Sequence, residues 1–295
     1  MEKTEDIYAK FEKYLGYYDL CEEGRQSLRE SAKQICEDAD LSARAMEMKS
    51  KLADLSLEVN LDEEFKGTPP GFGAFVFTLA IEDTEKLYGQ KNIPHGVLLE
   101  TIQDIGVWIQ RNRDWTGEWG FTQYGWLVLH MRAKIFKLGR LQFEPKKIET
   151  PPPENLGLNL KVGDPILNVH IPRGGKLDAE ACLESFERAK RFFPEVLGYD
   201  FVAFGCFTWL FDPAFESLLP PDSNILKFQK MFVLLPAEEG YWGLDYVFVN
   251  ITKENIKDAP TDTYFRKKLV EHLLAGGKMH SAGGYRMNEE LGMRN

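Results

Sequence analysis

The chain has 295 residues, a formal net charge of −10, 43% hydrophobic and 28% charged residues. That is ordinary globular usage with material for a sizeable core, in one large domain or two ordinary ones, and it excludes a disordered chain. The absence of a dense Lys/Arg run argues against nucleic acid, and no apolar stretch approaches the ~18–20 residues of a membrane span.

The first half is written in helical period. Ile7, Phe11, Tyr14 and Leu15 fall on one face of a first helix, closed by Gly16. Two more helices are predicted over 24–53, with Leu28, Ala32, Ile35 and Cys36 on one stripe and Asp40 or Ser42 starting the second. A loop over 60–71 ends in Thr68-Pro69-Pro70-Gly71, and the apolar run 72–81 reads as a buried helix or strand. Helical patterns occupy 72–88 and resume at Pro94, a first-turn proline, with Leu98, Leu99, Ile102, Ile105 and Ile109 as the apolar face. A connector, Asp114-Trp115-Thr116-Gly117-Glu118-Trp119-Gly120, precedes a helix over 121–136.

The period then changes. Leu138-Gly139-Arg140-Leu141-Gln142-Phe143-Glu144 alternates apolar and polar, the mark of a strand with two different faces. A Pro-rich linker, Thr150-Pro151-Pro152-Pro153-Glu154-Asn155, leads to a strand over 165–172, the tight loop Arg173-Gly174-Gly175-Lys176 and an amphipathic helix over 178–193. The aromatic run 201–211 reads as a strand buried on both faces. Asp212-Pro213 starts a short helix and Pro220-Pro221-Asp222-Ser223 caps another. Strands are predicted over 231–236 and 245–251, a helix over 262–275 that stops at Gly276-Gly277, and a last strand in 281–287. The reading is α+β overall: an all-helical N-terminal domain, 1–136, followed by a mixed α/β sheet domain, 137–295.

Cys21, Cys36, Cys182 and Cys206 form no CxxC pair and have no histidine at zinc-ligand spacing, so reduced thiols and no metal are expected. The N-terminus is charged, without the apolar core of a signal peptide, which points to the cytoplasm.

Three segments, KLGRLQFE (137–144), VHIPRGGKLDAEACLESFERAKRFFP (169–194) and FTWLFDPAFESLLPPDSNILKFQKMF (207–232), together resemble a family of bacterial acyltransferase-domain proteins. The resemblance covers nearly the whole chain. It implies a helical N-terminal domain, a GNAT-like C-terminal domain, and transfer of an acyl group from acyl-CoA to an amine or other small acceptor. Acyl-CoA, acetyl-CoA first among donors, would be a co-substrate. Neither nucleic acid nor membrane is an expected partner, and nothing in the sequence sets the oligomeric state.

Under that resemblance the loop after the second strand would hold the cofactor pyrophosphate, with Ile171, Arg173, Gly174, Gly175 and Lys176 as its residues. Glycines let backbone approach a phosphate, and a helix N-terminus favours an anion. GNAT enzymes place Gln/Arg-x-x-Gly-x-Gly/Ala here, but counting from Arg173 the glycine positions hold Lys176 and Asp178. Asp178 and Glu180 put negative charge where the phosphate would sit, so the alternative is a capped helix after a Gly-Gly turn.

Alternation puts Arg140, Gln142 and Glu144 on one side of the first strand, and Asn168 and His170 on one side of the next. With a suitable register a carboxylate and an imidazole line one groove, and either Glu144 or His170 is the base for an attacking amine, directly or through a water. The alternative is that this side of the sheet faces solvent or the helical domain, with Arg140 and Glu144 paired. Arg140, Gln142 and Trp209 are the substrate-side candidates, Trp209 as the wall of a pantetheine or acyl tunnel. Cys206 reads as core, and Tyr241, Tyr246 and Tyr285 are general-acid candidates by residue type. The aromatics Trp108, Trp115, Trp119, Phe121, Tyr124 and Trp126 read as packing or as a pocket wall, with His130 a satisfied partner. A different class of function is a non-catalytic GNAT-like binding module that has lost the pyrophosphate loop and takes a metabolite or protein.

Overall fold

The computed structural model describes residues 4–57, 60–69 and 71–288; Pro70 of the Pro-Pro-Gly stretch lies outside them. Two units emerge, one formed by the chain up to Leu138 with Pro172–Gly174, the other by Gly139–Ile171 and the chain from Gly175.

In the first unit, α1 (Thr4–Leu15) buries Ile7, Phe11, Tyr14 and Leu15, the stripe its spacing predicts. α2 (Glu22–Glu37) buries Leu28, Ala32, Ile35 and Cys36. α3 (Ala39–Ala53) starts earlier than either expected residue, because its cap is Asp38, whose carboxylate accepts from the amides of Asp40 and Leu41. After the short α4 (Leu61–Glu64), α5 (Phe72–Gln90) is buried on every side from Phe72 to Ile81. α6 (His95–Thr116) runs through Trp115, so the connector begins only at Gly117, a left-handed C-cap with φ of 80°. α7 (Tyr124–Met131) is shorter than the sequence reading, and β1 (Phe136–Leu138) follows it. α5 packs against α1, α2, α3, α6 and α7, the surroundings that a helix apolar all round requires.

In the second unit the alternating segment is split by a turn. Gly139, with φ of 80°, and Arg140 precede β2 (Leu141–Lys147), so Arg140 is not on the strand face expected of it. β3 (Pro165–His170), α8 (Ala179–Leu197) and β4 (Ala203–Thr208) then make a parallel crossover. The aromatic run does not stay extended to 211: Trp209–Phe211 is a single 3-10 turn. α9 (Phe215–Leu218), α10 (Asn224–Gln229), β5 (Val233–Leu234) and β6 (Glu238–Glu239) follow. The segment expected as a strand over 245–251 opens instead with α11 (Leu244–Val247), whose Leu244 and Val247 share a buried face at helical spacing. α12 (Tyr264–Leu274) and β7 (His280–Met287) complete the unit.

The sheet runs β2-β3-β4-β7-β5, with β6 also on β7. β2 is antiparallel to β3, and β7 is antiparallel to β4. α8 covers one face: Phe186 lies 4.7 Å from Phe204 and 6.0 Å from Phe143 between ring centroids, and Phe193 lies 6.4 Å from Phe143. All four rings are fully buried, and truncating any of them to alanine costs about 3–5 kcal/mol. Since Phe143 and Phe204 face α8, alternation turns Gln142, Glu144, Asn168, His170, Gly205 and Phe207 to the opposite face. Over the start of β3 and β4 that face is closed by Ile148, Leu158 and Leu160 from the preceding loop, which pack with Ile166 and Ala203.

Candidate active site

The register of β2 on β3 sets Gln142 opposite His170 and Glu144 opposite Asn168. This brings His170 Nε2 to 3.2 Å from Glu144 Oε2, while Lys146 Nζ holds Oε1 at 2.9 Å. The sequence-level alternative, a pairing of Arg140 with Glu144, is not what forms. Burial pushes the Glu144 carboxyl up, but the hydrogen bonds from His170 and Lys146 and their charges outweigh it and hold the group below the usual carboxylate range. Glu144 is 8% exposed, whereas the His170 side chain keeps 27% of its surface accessible.

An ionised Glu144 requires a proton on His170 Nε2. The Asn168 amide lies 3.0 Å from the same nitrogen, and it completes the trio when its oxygen, the rotated orientation of the amide, meets that N–H. With Nε2 committed to Glu144, the lone pair of a neutral ring is on Nδ1. The arrangement is that of an imidazole base oriented by a carboxylate. Lys146 was missed at the sequence level, although it continues the alternation of Gln142 and Glu144.

β3 and β4 pair only over Ile166↔Ala203 to Asn168↔Gly205, while β3 runs on to His170 and β4 to Thr208. Parallel strands in an open sheet present their carboxyl ends to ligands, and here those ends carry His170 and lead into the loop before α8. Gly174 and Gly175 have φ of 89° and 72°, and a Cβ at either would meet nothing within 4 Å. The positive φ at both positions calls for glycine. Arg140, from its turn, donates Nε to the Lys176 carbonyl at 2.9 Å and so fixes the far end of this loop.

The start of α8 is less accommodating. The Asp178 carboxylate accepts from the amides of Glu180 and Ala181, both at 3.0 Å, and Glu180 adds charge of the same sign in the first turn. Those amides are satisfied by the protein itself, so an anion would rest on the backbone before Asp178 and on the Arg173 and Lys176 cations.

Trp209 is not brought to this face. It packs against the separate cluster around Phe215, Leu244 and Leu269, 5.9 Å from Phe215 and stacked on Phe265 at 6.1 Å. The exposed aromatic is its neighbour but one, Phe207, stacked on Trp242. Cys206 is core, its thiol pushed up by burial. Of the tyrosines, Tyr285 pairs with Gly205 on β7 and shares the face of Glu144, and Tyr241 is bonded to Glu239.

The helical unit holds a second carboxylate–imidazole pair that the sequence reading did not find. Asp104, 3% exposed, accepts from Trp108 Nε1 at 3.0 Å and Trp126 Nε1 at 2.8 Å, and lies 3.3 Å from Nε2 of the fully buried His130. His130 Nδ1 faces the Trp126 carbonyl at 3.3 Å. The signal was present as two i, i+4 pairs, Asp104 with Trp108 and Trp126 with His130, with the carboxylate set on an apolar helix face.

Among the described residues no helix is long and apolar enough to cross a membrane. A family model described as an N-acyltransferase N-terminal domain matches residues 9–133, and one described as a GNAT-like C-terminal domain matches residues 135–286. No curated protein matches the sequence. A solved acyltransferase in complex with decanoyl-CoA is similar at 25% identity and a TM-score of 0.64, over 82% of this chain and 75% of its own. Another, in complex with decanoyl-CoA and teicoplanin, shares the fold with a TM-score of 0.70 at 22% identity, over 92% and 89% of the two chains. A helical region followed by a mixed sheet domain, with both family models in order along it, is α+β with a GNAT-like C-terminal part: the chain belongs to the GNAT-like C-terminal domain family, carrying an N-acyltransferase N-terminal domain ahead of it.

Proposed function

We propose that the protein transfers an acyl group from acyl-CoA to a small amine acceptor, with Glu144 and His170 as its base. The observation that carries this reading is the 3.2 Å contact between Glu144 and His170 at the carboxyl ends of β3 and β4, whose mutual pairing stops at Asn168 and Gly205. Solved proteins of the same fold hold decanoyl-CoA, which supports a CoA thioester as donor. Acetyl-CoA is the simplest donor to test and decanoyl-CoA the second.

Pantetheine is an extended chain with two amide groups, suited to backbone donors and acceptors where parallel strands stop pairing. The backbone of Ile171, Gly174 and Gly175, with the Arg173 and Lys176 cations, would take the pyrophosphate. His170 Nδ1 would accept a proton from the attacking amine as the C–N bond forms, Glu144 would stabilise the imidazolium, and the C–S bond would break to release CoA thiolate. Gln142, opposite His170, lies on the acceptor side, and Arg140 acts by holding the loop. The protein's work is done by the part of the chain from residue 137 to the C-terminal strand, with residues 1–136 as a separate helical domain, in a soluble cytoplasmic enzyme.

Thermal denaturation with acetyl-CoA and decanoyl-CoA tests the donor, since a ligand at 100 times its Kd stabilises by about 2.7 kcal/mol. Glu144→Gln and His170→Ala then separate chemistry from binding: each should cut turnover about 100-fold while leaving the acyl-CoA shift in place. No shift with either thioester removes the enzyme reading. In its place would stand a binding module, which the self-satisfied amides at the start of α8 favour.

A further inference from the structure

Phe207 lies on β4, a strand with a neighbour on each side, yet it is 59% exposed. A large aromatic on an interior strand is normally covered, and an exposed one beside a polar site marks a contact surface. Phe207 is not isolated. Its ring and that of Trp242 are nearly parallel, with centroids 6.3 Å apart and planes 18° from coplanar, and Trp242 meets Tyr246 edge-on at 5.6 Å. Trp209 supports this ledge from behind, 6.5 Å from Tyr246 and against Gly243, where a Cβ would come within 2.8 Å of the indole. The ledge is thus a built surface with rings fixed by packing.

Its position relative to the base follows from the register. Glu144 pairs with Asn168 and Asn168 with Gly205, on one face. One dipeptide further along each strand come His170 and Phe207, past the last paired residues, so Phe207 stands across the opening from His170 on the same side of the sheet. The strand neighbours of Phe207 on this face are glycines, Gly205 in its own strand and Gly283 opposite it on β7, with Tyr285 and Ile166 lying against the first and Leu235 against the second.

We propose that the Phe207–Trp242 ledge binds an aryl ring of the acceptor and presents its amine to Glu144 and His170, which makes the acceptor class an arylalkylamine. This rests on the acyl-transfer reading above for the reaction, although the ledge can be tested without it. Two observations favour an aryl amine over the acyl chain as occupant. A chain of net charge −10 favours a cationic amine over a neutral alkyl chain. The ledge is flat and open, so an alkyl chain laid on it keeps one side in water, whereas a ring stacked on fixed rings adds a specific aromatic term.

The test is calorimetric titration of the full chain with naphthylethylamine and with octylamine, for the wild type, Phe207→Ala and Phe207→Tyr. The expected result is tighter binding of the aryl amine, weakened about tenfold in Phe207→Ala and retained in Phe207→Tyr, with octylamine little changed. Equal affinity for the two amines, no binding of naphthylethylamine, or a Phe207→Ala affinity within about twofold of wild type overturns the proposal. So does a Phe207→Ala variant that loses affinity for decanoyl-CoA and keeps it for the aryl amine, since the ledge would then carry the acyl chain. Acyl-CoA stabilisation measured alongside keeps the two ideas apart. Its absence with the aryl preference intact removes the enzyme reading alone, and its presence without the preference removes the ledge alone.

Discussion

The molecule contains two carboxylate–imidazole pairs of almost equal length, Asp104–His130 at 3.3 Å in the helical unit and Glu144–His170 at 3.2 Å on the sheet. Their surroundings differ. Asp104 Oδ2 takes two indole donors and a histidine whose second nitrogen faces a carbonyl, and the carboxylate and the imidazole are both buried. Glu144 has an exposed lysine on its other oxygen and a histidine open to solvent. The first pair is shut away from solvent, while the second keeps part of its imidazole accessible. Residue types alone do not separate a packing hub from a base. The degree of burial does.

The largest effect should come from the buried pair. Asp104→Ala leaves His130 and two indoles without their acceptor and should cost about 3–5 kcal/mol in chemical denaturation. A loss under about 1 kcal/mol would erase the distinction drawn between the pairs. Glu144→Gln should do the reverse, with turnover down about 100-fold and stability nearly kept. A variant of full activity would remove Glu144 from the chemistry.

Acid sharpens the contrast. Burial raises the Asp104 carboxyl, but the bonds from His130, Trp126 and Trp108 outweigh it, so its net shift, like that of Glu144, is downward. A depressed folded value means stabilisation present above the unfolded value of about 4 and lost as pH falls through the folded one. Stability measured from pH about 6 down to about 2 should therefore decline, less steeply in Asp104→Asn, with a smaller change in Glu144→Gln. An unaltered acid limb in Asp104→Asn would show that the hub carries no such linkage.

The mildest probe concerns the loop. Asp178→Ala should lose about 1 kcal/mol of capping, and, by freeing two amides and removing a carboxylate, tighten acyl-CoA binding about threefold. Weaker binding instead would mean that the cap orders the loop for its ligand.

Much of this was legible in the residues because strand alternation is a two-state pattern. Once Phe143 and Val169 face the core, Glu144 and His170 must share the other side. What alternation cannot supply is where a strand begins. Gly139 turns the chain at positive φ, which moved Arg140 off the face and onto the Lys176 carbonyl. Trp209 likewise left the strand when the Thr208 hydroxyl capped the 3-10 turn through the Leu210 amide. The 245–251 segment is rich in β-formers, yet burial of Leu244 and Val247 at helical spacing prevails over propensity there. The Asp104 hub was hidden for another reason: its members come from two helices, and only tertiary packing joins them.

The stop in pairing at Asn168 and Gly205 also bears on how the protein keeps in storage. A strand edge with unpaired amides and carbonyls is a template for any extended chain, and most sheets confine such edges to their margins or shield them. Here β3 and β4 part inside the sheet after Asn168 and Gly205, and a fitting small molecule and a stray peptide segment would compete for the gap between them. Shelf life and resistance to aggregation should therefore depend on whether that opening is filled.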